Sequence, residues 1–158
     1  MSKPFVLLLV AGLASLLACA PVVGQSDEPR DLPISASWVG DYPVAALDQL
    51  PAGQQQNRVG SFSDAASFAK AWESFRPGEA VPAIDFANNL VIFSRNVDFY
   101  NRTNIFKVTL TAGVIEILAM ETMSARPIEQ QAAMAMAVVP RAGVKAIRLD
   151  ETTTVPVD

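Results

Sequence analysis

Residues 105–120 read IFKVTLTAGVIEILAM, and this stretch decides the fold. Phe106, Val108 and Leu110 alternate with Lys107, Thr109 and Thr111, the period of two that turns one face of a strand to a core. Ala112-Gly113 reverses the chain and residues 114–120 return, so the spacing predicts a β-hairpin. Outward from it, residues 90–94 (LVIFS) are an unbroken apolar run of strand length, read as a central strand. Residues 131–139 and 145–150 read as two more strands, with a turn at residues 140–143. Upstream, residues 56–60 read as a short strand. Residues 34–39 read as a first strand or the docked end of what precedes it, and residues 40–43 (GDYP) as a turn.

One helix stands among these strands. Ser63 is placed to cap it and Asp64 suits the positive end of its dipole. Phe68, Ala71, Trp72 and Phe75 then recur at helical spacing as one apolar stripe, and Pro77-Gly78 stops the run. The expectation is an α+β fold, one helix packed on a mainly antiparallel sheet of about five strands. Residues 34–150 are the single globular domain and residues 151–158 a frayed tail.

The other end of the chain carries a different signal. Lys3 precedes an apolar run over residues 5–18, and Leu16-Leu17-Ala18 precede Cys19, the single cysteine. A basic start, a hydrophobic stretch and small residues make a secretory signal peptide, here residues 1–18. The run is shorter than the about 20 residues a spanning helix needs. Residues 19–33, with three prolines and scattered charge, read as a lipidated cysteine and flexible tether. A cysteine directly after the cut resembles the lipobox of bacterial lipoproteins. That resemblance implies a thiol carrying diacylglycerol, an acylated amine and stable attachment to a lipid bilayer through Cys19. Ala20, rather than aspartate, resembles the rule for outer-membrane sorting. The expected location is the bacterial cell envelope, lipid-anchored, at the outer membrane and facing the periplasm or surface.

Composition narrows the chemistry. The net charge is −4 with no histidine, and loss of Lys3 with the leader adds one negative unit. Without a basic cluster, no nucleic-acid partner is expected. Without histidine and with one committed cysteine, Ser-His-Asp and Cys-His catalysis and imidazole or thiolate zinc sites are ruled out. Asp85 with Asp98 or Glu116 is the remaining carboxylate pairing for acid–base work, but no spacing supports it, and aspartate before a strand more simply caps a turn. The chain reads as non-catalytic and without a cofactor.

Residues 58–149 also resemble the C-terminal domain of the PrcB family. The landmarks are Ser61-Phe62-Ser63, the helix with Phe68 and Trp72 ending before Pro77, Ile84-Asp85-Phe86 ahead of residues 90–93, and Val139-Pro140 before residues 146–149 (AIRL). Those proteins are accessory lipoproteins of a bacterial surface protease complex. The resemblance implies an accessory or binding role, without catalytic residues. The family's Thr-Gly-Gly-Tyr-type loop is replaced by Arg102-Thr103-Asn104-Ile105, without glycine, so no contact of that loop carries over.

The candidate contact surface is the loop over residues 98–104. Tyr100, Asn101, Arg102 and Thr103 are its partner-binding candidates, since exposed tyrosine and arginine are enriched where proteins meet. The plainer reading is a solvated connection. Met134 and Met136 share one face of a strand and are weak candidates for Cu(I), against simple core packing. Arg95, Arg126 and Arg141 read as solvated or paired with carboxylates. The sequence therefore points to a membrane-anchored accessory module for an envelope protein, a protease among the candidates. The alternatives are a protease inhibitor presenting the 98–104 loop and a methionine-based copper-binding protein.

Overall fold

Two strands, each buried on both faces, organise the structure. They are β4 (Asn89–Arg95) and β7 (Gln131–Pro140). The structure is a computed structural model and describes residues 28–150 and 153–157. The other elements are β1 (Arg30–Asp31), β2 (Ala36–Pro43), a 3-10 turn over Val44–Gln49, β3 (Val59–Phe62), α1 (Ala65–Phe75), β5 (Thr103–Thr111), β6 (Val114–Glu121), β8 (Ala146–Arg148) and β9 (Thr154–Pro156).

The fold is α+β in the broad sense, but the expected single sheet is two. An antiparallel sheet in the order β2-β7-β4-β3 forms the middle layer, with α1 on one face. A mixed sheet in the order β1-β5-β6-β8-β9 covers the other face, and its one parallel pair is β6 with β8. Three layers enclose two cores. Between helix and middle sheet lie Tyr42, Phe62, Phe68, Trp72, Phe75 and Phe93, with Met134 and Met136. Between the sheets lie aliphatic side chains, among them Leu90, Ile92, Val108, Ile115 and Ile147, with Ala135 and Ala137. The unbroken apolar run of residues 90–94 is explained by a strand with no solvent face. A single-sheet reading lacked the second cover that such a strand needs.

The predicted hairpin forms, with Leu110 opposite Ile115 and Thr111 opposite Val114. Ala112 and Gly113 both take positive φ, as a two-residue hairpin turn requires. A bulge between Ile105 and Lys107 breaks the simple alternation and leaves Phe106 exposed rather than buried.

Several boundaries move. Asp64 is itself the helix cap: its backbone is extended and its carboxylate accepts the N–H groups of Ala66 and Ser67, so Ser63 stands outside the helix. The 40–43 turn is the end of β2. The tether stops short of residue 33, because Arg30 and Asp31 pair with Leu110 and Thr109 and Leu32 is buried. The tail is no frayed end at residues 154–156, which pair with β8 and bury Val155. Both segments are held by pairing with β5 and β8 and by burial of Leu32 and Val155 in the core between the sheets. The signal peptide, Cys19 and the first part of the tether lie outside the described residues.

Gly60 in β3 is fixed by close approach. A Cβ there would lie 2.4 Å from the Phe93 ring and 2.1 Å from Gln54 Oε1, while Gln54 Oε1 accepts the N–H of Ser61 at 2.8 Å.

Candidate functional site

The segment between β4 and β5 is tied down along its backbone. The Tyr100 N–H donates to Arg126 O at 2.9 Å and the Ile128 N–H to Asp98 O at 3.2 Å. Phe99 and Pro127 form a bridge between them. The Arg102 N–H donates to Thr122 Oγ1 at 2.9 Å and the Thr122 N–H to Arg102 O at 3.0 Å. It is thus an ordered platform against residues 122–128, not a loose connection.

Tyr100 stands at its centre. Its phenol donates to Asp41 Oδ1 at 2.6 Å, and the Arg126 guanidinium lies 5.7 Å from its ring centroid. The hydrogen bond to Asp41 raises the phenol's pKa above its ordinary value, as burial and the Asp41 charge also do, while Arg102 and Arg126 pull it down. Open clefts flank the ring. One of about 280 Å³ runs along Arg126, Pro127, Glu129 and Gln130. The other, of about 330 Å³, is bounded by Val39, Gly40, Arg102 and Ala133. Val39 is free to line it because the β2 face carrying Ser37, Val39 and Asp41 is uncovered by the mixed sheet.

The sequence candidates sort as follows. Tyr100 and Asn101 are half-buried on the platform and Arg102 is exposed. Thr103 is corrected: it is the first residue of β5 and 5% exposed. Met134 and Met136 are corrected as well. Both are fully buried under α1 and pack in the aromatic core, where a metal would have to displace the helix. Among the described residues no group of three or more His, Cys, Asp or Glu could hold a metal ion.

Asp85 does what aspartate before a strand does. Its carboxylate accepts the Ala87 N–H at 3.0 Å and the Asn88 side-chain amide at 2.7 Å. The Asn88 amide first, then the backbone, holds its carboxyl below the usual carboxylate range. It precedes β4 whereas Asp98 follows it, and Glu116 pairs with Arg148 in the other sheet. The three carboxylates are not brought together.

Sequence reading missed Asp41 and Arg126, which lie 59 and 26 residues from Tyr100 and carry no local mark of their role. It also misread Arg95, which is buried, its guanidinium donating to Gln55 O at 2.6 Å and Asn96 O at 3.0 Å. Burial lowers its pKa, and the nearby Tyr42 opposes this. No helix among the described residues is long and apolar enough to cross a membrane. In comparisons with family models, curated proteins and solved structures, nothing matches this chain.

Proposed function

We propose that this chain is a non-catalytic binding module of the bacterial envelope. It is held to a bilayer through a lipidated Cys19 and presents the Tyr100 platform to a protein partner. One observation carries the reading: the root of the N-terminal segment and the platform sit at opposite ends of β5. Arg30 pairs with Leu110 beside the hairpin turn, and its guanidinium donates to Ala142 O at 3.2 Å. The platform leads into Thr103 at the far end. Seven residue steps along β5, from Leu110 to Thr103, separate the two by about 23 Å. Residues 20–29 add a reach of at most about 35 Å. The module then contributes position rather than chemistry, with the anchor at one pole and the contact surface at the other.

The lipobox-like Leu16-Leu17-Ala18-Cys19 and the likeness to the PrcB family supply the envelope and the accessory role. A protease belonging to an envelope complex is the partner class this favours. The inhibitor alternative fits less well, since a loop entering a protease cleft pairs its own backbone there. The Asp98 C=O, the Tyr100 N–H and both the N–H and the C=O of Arg102 are already paired within the domain.

Crosslinking in living cells followed by mass spectrometry tests this, comparing the unaltered chain with Cys19→Ala and with Tyr100→Ala/Arg102→Ala. The expected result is one partner recovered with the anchored chain, lost with Cys19→Ala and depleted with the double variant. Partners that persist unchanged in the double variant would remove the platform from the proposal.

A further inference from the structure

The strands that end the two sheets differ in what they leave open. β1 and β9 are two and three residues long, and every residue of β3 is buried. β2 is eight residues long and exposes Ser37, Val39 and Asp41. The ladder shows where its backbone points. The Val44 N–H donates to Gln130 O at 2.9 Å and the Asn96 N–H to Ala133 O at 3.0 Å. Even-numbered residues of β7 therefore bond to even-numbered residues of β2, and odd-numbered ones bond to β4. The N–H and C=O groups of Ser37, Val39 and Asp41 point away from β7, to a side where no described strand lies. Of these groups only the Val39 C=O is engaged among the described residues, accepting from the Arg76 guanidinium.

We propose that this edge takes an extended segment of the partner polypeptide as a fifth strand of the middle sheet, with a carboxylate side chain of that segment directed to Arg102. The inference rests on the reading of this end as the partner surface, since Asp41 of the exposed ladder is the residue that holds Tyr100. A row of alternating main-chain donors and acceptors is matched by another extended main chain. Its C=O groups accept from Ser37, Val39 and Asp41, and its N–H groups donate to Ser37 and Asp41. Every second side chain of the added strand falls on the face of Val39, beside the open cleft of about 330 Å³ that Arg102 lines. Arg102 has no ion pair among the described residues, and Asp41, the one carboxylate lining that cleft, already accepts from Tyr100. An acidic side chain is therefore selected there. A second copy of this chain fits less well, because β2 pairing with itself about Val39 brings two Arg76 guanidinium groups together. An edge guarded by Arg76 against any pairing is the alternative that the experiment separates.

The test is an NMR titration of the full-length, ¹⁵N-labelled chain in detergent micelles with the peptide acetyl-Thr-Val-Glu-Val-Thr-amide. Saturable shifts are expected at the Ser37, Val39 and Asp41 N–H groups, with little change at Trp38 and Gly40, whose N–H groups face β7. Methylating every peptide nitrogen removes its main-chain donors and should weaken binding at least about tenfold. Val39→Pro removes one outward donor and leaves the bonds to β7 in place, as proline on an edge strand allows, and should cause a similar loss. Arg102→Glu should cost about threefold. Should Val39→Pro not fold, the methylated peptide decides alone. Amides unmoved by the peptide, or unchanged affinity for the methylated peptide or in folded Val39→Pro, would overturn the inference and leave a guarded edge. Shifts of the same amides on dilution without peptide would overturn it in favour of a second copy. A cellular partner that persists with Val39→Pro removes this inference alone. Peptide binding without a cellular partner removes the module reading alone.

Discussion

The two faces of β7 bury the same backbone in different ways. Met134, Met136 and Val138 face α1, where Met136 lies opposite both Phe93 and Trp38 in the neighbouring strands. Ala135, Ala137 and Val139 face the mixed sheet, where Ala137 lies opposite Ile92. The helix side is aromatic, with Trp38 5.1 Å from Trp72 and Phe62 5.5 Å from Phe93, centroid to centroid. The sheet side is aliphatic. A single helix leaves uneven gaps over a sheet, and large rings with flexible thioethers fill them. Two sheets meet as pleated surfaces, and alanines on one let branched side chains from the other come close. The alternation Met-Ala-Met-Ala in β7 is therefore a record of two different neighbours.

That contrast can be broken from either side. The largest effect is expected from Met136→Ala, which opens a cavity among rings held from three directions. Denaturant unfolding should show a loss of about 2–5 kcal/mol. Ala137→Leu attacks the aliphatic side by overfilling it, and about 1–3 kcal/mol should be lost. An unaffected midpoint for Ala137→Leu would mean that the sheets do not depend on small residues for their approach. Next comes pH. Tyr42 is buried in the aromatic core and its hydroxyl donates to Ala46 O at 3.0 Å. Burial first, then Asp48, pushes its pKa up to about 12, with Arg95 opposing. A group whose folded pKa is raised stabilises fully below its unfolded value. Stability should thus fall as pH rises from about 10 toward 12, by up to about 1.4 kcal/mol per pH unit. Tyr42→Phe should flatten that slope, and an unchanged slope would assign it to another group. The smallest effect is expected from Asp64→Ala, which uncaps the helix covering only the aromatic side, at about 1 kcal/mol. The Ser67 hydroxyl, then backbone N–H groups, hold the Asp64 carboxyl below its ordinary value. The cap's contribution should be complete above about pH 4 and lost as pH falls below it. Thermal unfolding of both chains between pH 2 and 7 reads this directly, and converging curves at low pH are expected.

The hairpin over residues 105–120 was legible because its signals are local: alternation, a two-residue turn, then alternation again. The helix was legible for the same reason, since its stripe and its stop lie within about a dozen residues. The second sheet was not. Its edge strands are Arg30–Asp31 and Thr154–Pro156, two and three residues long, too short to show a period. They are strands because β5 and β8 offer them partners. The candidate platform was half legible. Tyr100 and Arg102 stood out as residue types, while Asp41 and Arg126 gained a role only through contact with Tyr100.

Sequence by itself determined the local elements, the exclusion of histidine chemistry and the expectation of an anchor at Cys19, because each depends on neighbouring residues or on composition. Tertiary structure alone decided that β4 and β7 are covered twice, that Met134 and Met136 belong to the core, and that the Tyr100 platform lies far from the root of the N-terminal segment. These depend on pairings between residues tens of positions apart, and such pairings leave no mark in the spacing of any one segment.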